Sequence, residues 1–192
     1  MKELNLSEDV LKLTSYVDSL KIEGRMKSPT YVSFVTKYYR KILNGEKITD
    51  IDKETLQSLF YRGYTKGHLL NNTDLVNIKS PNHIGLPIGR AIDVNDSKIT
   101  ILLDKELNQE DGIRFLDSGK GMIVNYLYDM KERLISKGSS NQKIKLDNKI
   151  GLTSLDTVAL TTNHKLITTF ESITKKVNIS IKVMAKLNSP LE

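Results

Sequence analysis

The sequence predicts an α+β fold, in which an N-terminal helical hairpin is followed by a small, mostly antiparallel β-barrel. Three observations predict it. Apolar residues recur at helical spacing between residues 28 and 62, bounded by capping signals. After Pro81 the chain breaks into short β-rich runs. Turn-forming pairs, among them Asn95-Asp96 and Asp111-Gly112, stand between those runs. These signals set the boundaries at 28–80 for the helical hairpin and linker and 81–192 for the barrel, whose completeness at the C-terminus is left open, with 1–27 ahead of them.

Leu6, Ser7 and Leu11 supply the staple and cap of a short helix over 7–16, which offers Val10, Leu11 and Leu13 to a core. Residues 17–23 alternate apolar and polar as a strand does. The next residues turn helical at once, so the partners of that strand are expected outside this chain. Ser28-Pro29 gives the cap and first-turn proline of the next helix, whose Val32, Val35, Tyr39, Ile42 and Leu43 share a face until Asn44-Gly45 stops it. Thr49 or Asp50 starts a further helix carrying Leu56, Leu59 and Phe60, and Arg62-Gly63 ends it. The short loop between the two makes an antiparallel hairpin.

Strands are expected over Leu86–Val94, Lys98–Leu103, Gly112–Phe115, 122–127, 143–146, 157–160 and 177–185. A set of about five to seven strands at this spacing makes a small barrel or sandwich, and closing it removes exposed edges.

Composition narrows the partners. With 39% apolar and 27% charged residues among 192, the chain is globular in character. It has no Cys, which excludes disulfides, thiolate metal sites and a Cys nucleophile within this sequence. No apolar run approaches the roughly 18 residues of a membrane span, and the acidic start is unlike a signal peptide. A cytoplasmic protein away from the membrane is the expectation. The net charge of +6 is uneven: −2 over residues 1–20, +5 over 21–70 and +3 over 71–192. A basic middle segment favours an anionic partner, nucleic acid above all, with a lysine-rich solvated surface as an equal alternative.

Catalytic chemistry is hard to assemble from these residues. His68, His83 and His164 lack any metal-ligand spacing and are expected to be surface or packing residues. Gly63 and Gly67 flank Tyr64-Thr65-Lys66 in a tight loop that would expose Arg62 and Lys66 beside an aromatic face, a combination suited to phosphate contact and base stacking. The alternative is a packed connector with Tyr64 in the core. Gly85, Pro87 and Gly89 mark a bend into the first β-strand and not a phosphate loop.

The run Val17-Asp18-Ser19-Leu20-Lys21-Ile22-Glu23-Gly24-Arg25-Met26-Lys27-Ser28-Pro29-Thr30-Tyr31-Val32 resembles the signature of peptidase family U32, the collagenase-like proteases, and Tyr38-Tyr39-Arg40-Lys41 continues it. Residues 59–69, 81–90, 111–115 and 177–187 resemble later parts of the same family. The match of Ile22-Glu23-Gly24-Arg25 to the factor Xa cleavage tag is then coincidence.

The resemblance implies an upstream α/β barrel as partner, with the strand holding Lys21, Ile22 and Glu23 as its closing strand. On this view the chain is a C-terminal piece with Met1 added, Leu191-Glu192 is either native or a vector remnant, and residues 1–27 alone are partly disordered or packed differently. Some members carry an iron-sulfur cluster on upstream cysteines, so no cofactor or metal is expected within this chain. Glu23 and Arg25 are the family-signature candidates for a reacting pair at a barrel-strand end, with a Glu–Arg ion pair as the equal alternative. Lys21, Arg25, Lys27, Arg62, Tyr64 and Lys66 are the candidates for substrate or RNA contact.

Residues 88–115 resemble the second-domain barrel of translation elongation factors. Glu110 replaces the family's usual glycine there, and Thr161-Thr162-Asn163 replaces threonine-serine-aspartate. Three functions compete. The chain is a non-catalytic region positioning a macromolecular substrate, ribosomal or transfer RNA included, for the barrel; or a protease, as the family name implies; or a protein-interaction module without affinity for nucleic acid.

Overall fold

A computed structural model of the chain describes residues 2–70, 73–78, 82–171 and 180. The N-terminal part runs β1 (Glu3–Leu4), α1 (Val10–Leu13), α2 (Pro29–Leu43), α3 (Asp50–Leu59) and β2 (Tyr64–Thr65), then a 3-10 turn at His68–Leu70. The strand expected over 17–23 is absent: those residues pair with no ladder, and only Ile22 leans on the helices. Alternation alone cannot hold a strand without a neighbour. The short parallel pair forms elsewhere, with Glu3 opposite Tyr64 and Leu4 opposite Thr65.

Local chemistry sets the helix ends. The Ser28 hydroxyl accepts the N–H of Tyr31 at 3.1 Å, with Pro29 in the first turn. At α3, Thr49 and Asp52 form a reciprocal capping box. Burial pushes the Asp52 carboxyl up, but the Lys41 ammonium at 2.7 Å and the Thr49 donors outweigh it and bring it down to about 2.

The buried face of α2 is rotated from the one expected. Phe34, Val35, Tyr38 and Ile42 join Val10 and Leu56 in the core, whereas Val32 and Leu43 are each 37% exposed. Two aromatic rings one turn apart hide more apolar surface than the Val32–Leu43 face, and they decide the orientation. Helix α1 starts at Val10 instead of Ser7 and buries Val10 alone; Leu11 is 54% exposed.

Among the described residues ten strands come after α3: β3 (Leu86–Val94), β4 (Lys98–Leu103), β5 (Leu107–Asn108), β6 (Gly112–Phe115), β7 (Gly121–Ile123), β8 (Leu127–Tyr128), β9 (Leu134–Ile135), β10 (Lys137–Gly138), β11 (Lys143–Asp147) and β12 (Thr157–Thr162). Eight make one antiparallel sheet in the order β7-β6-β12-β3-β4-β11-β8-β9. Its concave face buries Ile88, Ile99, Ile101, Leu103, Phe115, Ile144 and Leu146 completely. Alternation of period 2 makes that face legible in β3, β4 and β11. The strand expected over 122–127 is divided: β7 and β8 take its ends, and Val124 and Leu127 turn into the core.

The sheet is curled into a half-barrel and not a continuous closed ladder. Residues 107–111 bridge its two edges. The Gln109 N–H donates to Ser136 beside β9, and β5 pairs with β10; on the other side Glu110 donates to Val124 and Val124 to Asp111, both at 2.8 Å. Gly85 leads into β3 with φ +84, and a Cβ there would meet the Leu160 carbonyl at 2.3 Å, so the expected bend requires glycine.

Helix α4 (His164–Glu171) has no counterpart among the elements expected from the sequence. Asn163 caps it through the N–H of Leu166, the role an aspartate would play, and Phe170 meets Phe34 of α2 edge to face at 6.2 Å. The strand expected over 177–185 lies outside the described residues.

Candidate functional site

The loop from Arg62 to Lys66 holds its cations in ion pairs. Arg62 donates from Nε to the Glu3 carboxylate at 2.8 Å, linking β2 to β1. Lys66 lies between Glu8 at 3.1 Å and Asp9 at 2.8 Å. Its hydrogen bond to Asp9 raises the Lys66 ammonium and lowers the Asp9 carboxyl. Tyr64 meets Tyr61 edge to face at 4.8 Å, and its hydroxyl is buried without a partner. Burial pushes that phenol well above its ordinary value. The segment is the packed connector, with Tyr64 serving the core.

Lys27 lies over the ring of Phe60, 2.8 Å from its centroid, with the Arg62 guanidinium at 5.1 Å. Burial, and then the Arg62 charge, lower the Lys27 ammonium. His83 stacks on the same Phe60 at 5.3 Å. Its Nδ1 accepts the N–H of Tyr61 at 2.9 Å and of Gly85 at 3.2 Å, while Nε2 faces the carbonyls of Thr161 at 3.1 Å and Ser58 at 3.3 Å. The Tyr61 carbonyl also lies 3.3 Å from Nδ1, but the two N–H groups aimed at Nδ1, the nearer at 2.9 Å, and the two carbonyls at Nε2 favour the neutral Nε2–H tautomer. Burial lowers the pKa of the ring, against the pull of its carbonyl partners and with the help of Arg114. His83 is therefore a packing residue, as expected, and one that joins α3 to the sheet.

Glu23 and Arg25 do not come together as a side-chain pair. The Glu23 carboxylate takes Lys21 at 3.3 Å and the backbone N–H of Arg25 at 3.3 Å, and that N–H comes first in lowering it. The Glu–Arg ion pair is not formed in this segment. Lys21 precedes Glu23 by two residues, and an extended backbone puts both on one side. Arg25 is exposed, next to Met26, which is 94% exposed with φ +64.

Lys37 and Arg40 of α2, by contrast, stand exposed, and their side chains find no hydrogen-bond or ion-pair partner among the described residues. Sequence reasoning does not single them out. The available signal is the absence of any acidic residue within Pro29–Leu43. Among the described residues no group of three or more His, Asp or Glu is placed to hold a metal ion, and no helix is long and apolar enough to cross a membrane.

A helical hairpin clasped to a curled antiparallel sheet, with its unpaired cations on the hairpin, is the class of arrangement these residues define. Residues 1–78 match the model of peptidase family U32, and the resemblance drawn from the motifs of this stretch is borne out there. The chain is 42% identical over 77 residues to the tRNA hydroxylation protein P of Haemophilus influenzae, covering 38% of this chain and 17% of that protein. It is 30% identical over 115 residues to a 23S rRNA 5-hydroxycytidine synthase of Escherichia coli, covering 52% of this chain and 18% of that one. The chain thus spans less than a fifth of the length of these curated relatives. Among solved structures, the C-terminal domain of a Geobacillus thermoleovorans protein assigned to the U32 peptidases overlaps 38% of this chain and 89% of its own at a TM-score of 0.35 and 11% identity, too slight an overlap to bear on the fold.

Proposed function

We propose that this chain is the non-catalytic region of a U32-family protein and holds an RNA, of the transfer or ribosomal kind, for chemistry performed by an upstream α/β barrel in the cytoplasm. The observation that carries the reading is the distribution of cations in residues 21–70. Lys27, Arg62 and Lys66 are engaged in building the scaffold, while Arg25, Lys37 and Arg40 face solvent, as does Lys21 in its exposed pair with Glu23. The names of the similar proteins, which act on tRNA and 23S rRNA, point to RNA as the anion.

The barrel's docking face on this reading is the apolar surface around Val17 and Leu20, which are 45% and 41% exposed. The peptidase in the family name has no counterpart in this assignment. A filter-binding titration with tRNA tests it: binding that weakens steeply between about 50 and 200 mM salt is expected. No binding even at low salt would sink the reading.

A further inference from the structure

We infer that the solvent face of α2 is a strip for the phosphate backbone of an RNA strand, with Lys37 and Arg40 as its central contacts; this rests on the RNA reading above and locates it. Surface helices ordinarily set carboxylates three or four residues from their cations. Helix α2 carries Lys37, Arg40 and Lys41 and no acid at all. Lys41 is taken up from outside the helix by Asp52. Lys37 and Arg40 are not taken up by any described residue.

The orientation of the helix is fixed by its buried side. With Phe34, Val35, Tyr38 and Ile42 held in the core, Ser33, Thr36, Lys37, Arg40 and Asn44 share the opposite face. A rise of about 1.5 Å per residue sets Ser33, Lys37, Arg40 and Asn44 in a row about 4.5 to 6 Å apart. Lysine, arginine, serine and asparagine are the side chains that meet phosphate and sugar oxygens. The Thr36 hydroxyl is bound to the Val32 carbonyl at 2.7 Å and the Asn44 amide to Glu46 at 3.3 Å, so the donors of the row are Ser33, Lys37 and Arg40.

The strip has a second border. Lys21 and Arg40 line the same cavity of about 370 Å³. Gly24 packs so closely on α2 that a Cβ there would lie 2.7 Å from Val32, which keeps Arg25 beside the first turn of the helix. Glu23 is paired with Lys21, and Glu46, past the end of α2, takes the Asn44 amide at 3.3 Å and closes the strip at its C-terminal end. An acidic protein presents scattered carboxylates; a nucleic-acid strand presents anions in a row, which is what a row of donors fits.

The test compares the full chain with Lys37→Gln/Arg40→Gln and with Lys143→Gln, an exposed cation on β11, in titrations with a single-stranded RNA across salt concentrations. Glutamine is nearly as good a helix former as lysine or arginine, so α2 is retained, which circular dichroism checks. The double variant is expected to bind at least about tenfold more weakly at low salt, with a salt slope shallower by about 1.4, at about 0.7 per lost phosphate contact. The Lys143 variant is expected to bind as the parent does. A double variant that matches a binding-competent parent overturns the strip and leaves the RNA reading standing. A parent that fails to bind RNA at low salt overturns both. Polyglutamate competing as well as RNA at equal charge replaces the nucleic-acid partner with an acidic protein surface.

Discussion

His83 sits where α3 meets the sheet, and its ring nitrogens decide how that junction answers to pH. Protonation would aim a new Nδ1–H toward the N–H groups of Tyr61 and Gly85, with only the Tyr61 carbonyl at 3.3 Å to accept from it among the partners of Nδ1, and with the Arg114 cation on the His83 carbonyl at 3.1 Å. Since the folded state lowers this pKa, the stability His83 contributes is fully present above about pH 6.5, the ordinary histidine value, and is lost as pH falls through the folded value. Urea unfolding at pH 8 and pH 5 should show that loss in the parent and much less of it in His83→Gln. Replacing the ring by alanine leaves buried donors unmatched and should cost about 2 kcal/mol or more at pH 8. Sequence spacing separates His83 from metal ligands but says nothing of four backbone partners, three of them 22 to 78 residues away. Glu110 shows the opposite case: its departure from glycine marks the position in the sequence, and the left-handed turn persists at φ +70, with the carboxylate 3.0 Å from His164 Nδ1.

At the level of elements, legibility tracks locality. Ser28-Pro29 and the Thr49 to Asp52 capping box are written in neighbouring residues, and both helices start where those signals put them. Thr49→Ala should therefore destabilise the chain by about 1 kcal/mol, read as a lower urea midpoint with an unchanged slope. The face a helix buries is a tertiary property. Spacing offers Val32 and Leu43 as readily as Phe34 and Tyr38, and only the rings of Phe170, Tyr39 and Tyr31 around them settle the rotation. The same holds for 17–23, where a strand pattern has no ladder to join, and for β5, β9 and β10, whose two-residue length leaves no period to detect.

For the whole molecule, the ties between the helical and β-sheet parts include His83, the Ile84 N–H on the Tyr61 carbonyl at 2.7 Å, the Phe170–Phe34 contact, and the Lys105–Glu54 ion pair at 2.7 Å. The N-terminal segment is tied less firmly. Between Leu20 and Met26 it is held by Ile22 against the helices and by Gly24 against Val32. Factor Xa should consequently cut after Arg25 at once under native conditions, as read by mass spectrometry; resistance over hours would mean that the loop is shielded in solution. The charge bias toward residues 21–70 is visible in composition, but composition cannot tell a cation committed to a carboxylate from one left over. That distinction moves the candidate site from Arg62 and Lys66 to the back of α2. The bridge formed by residues 107–111 has its own corollary: because one short stitch fastens both rims of the half-barrel, neither rim can peel away without breaking it, so the sheet should melt all at once.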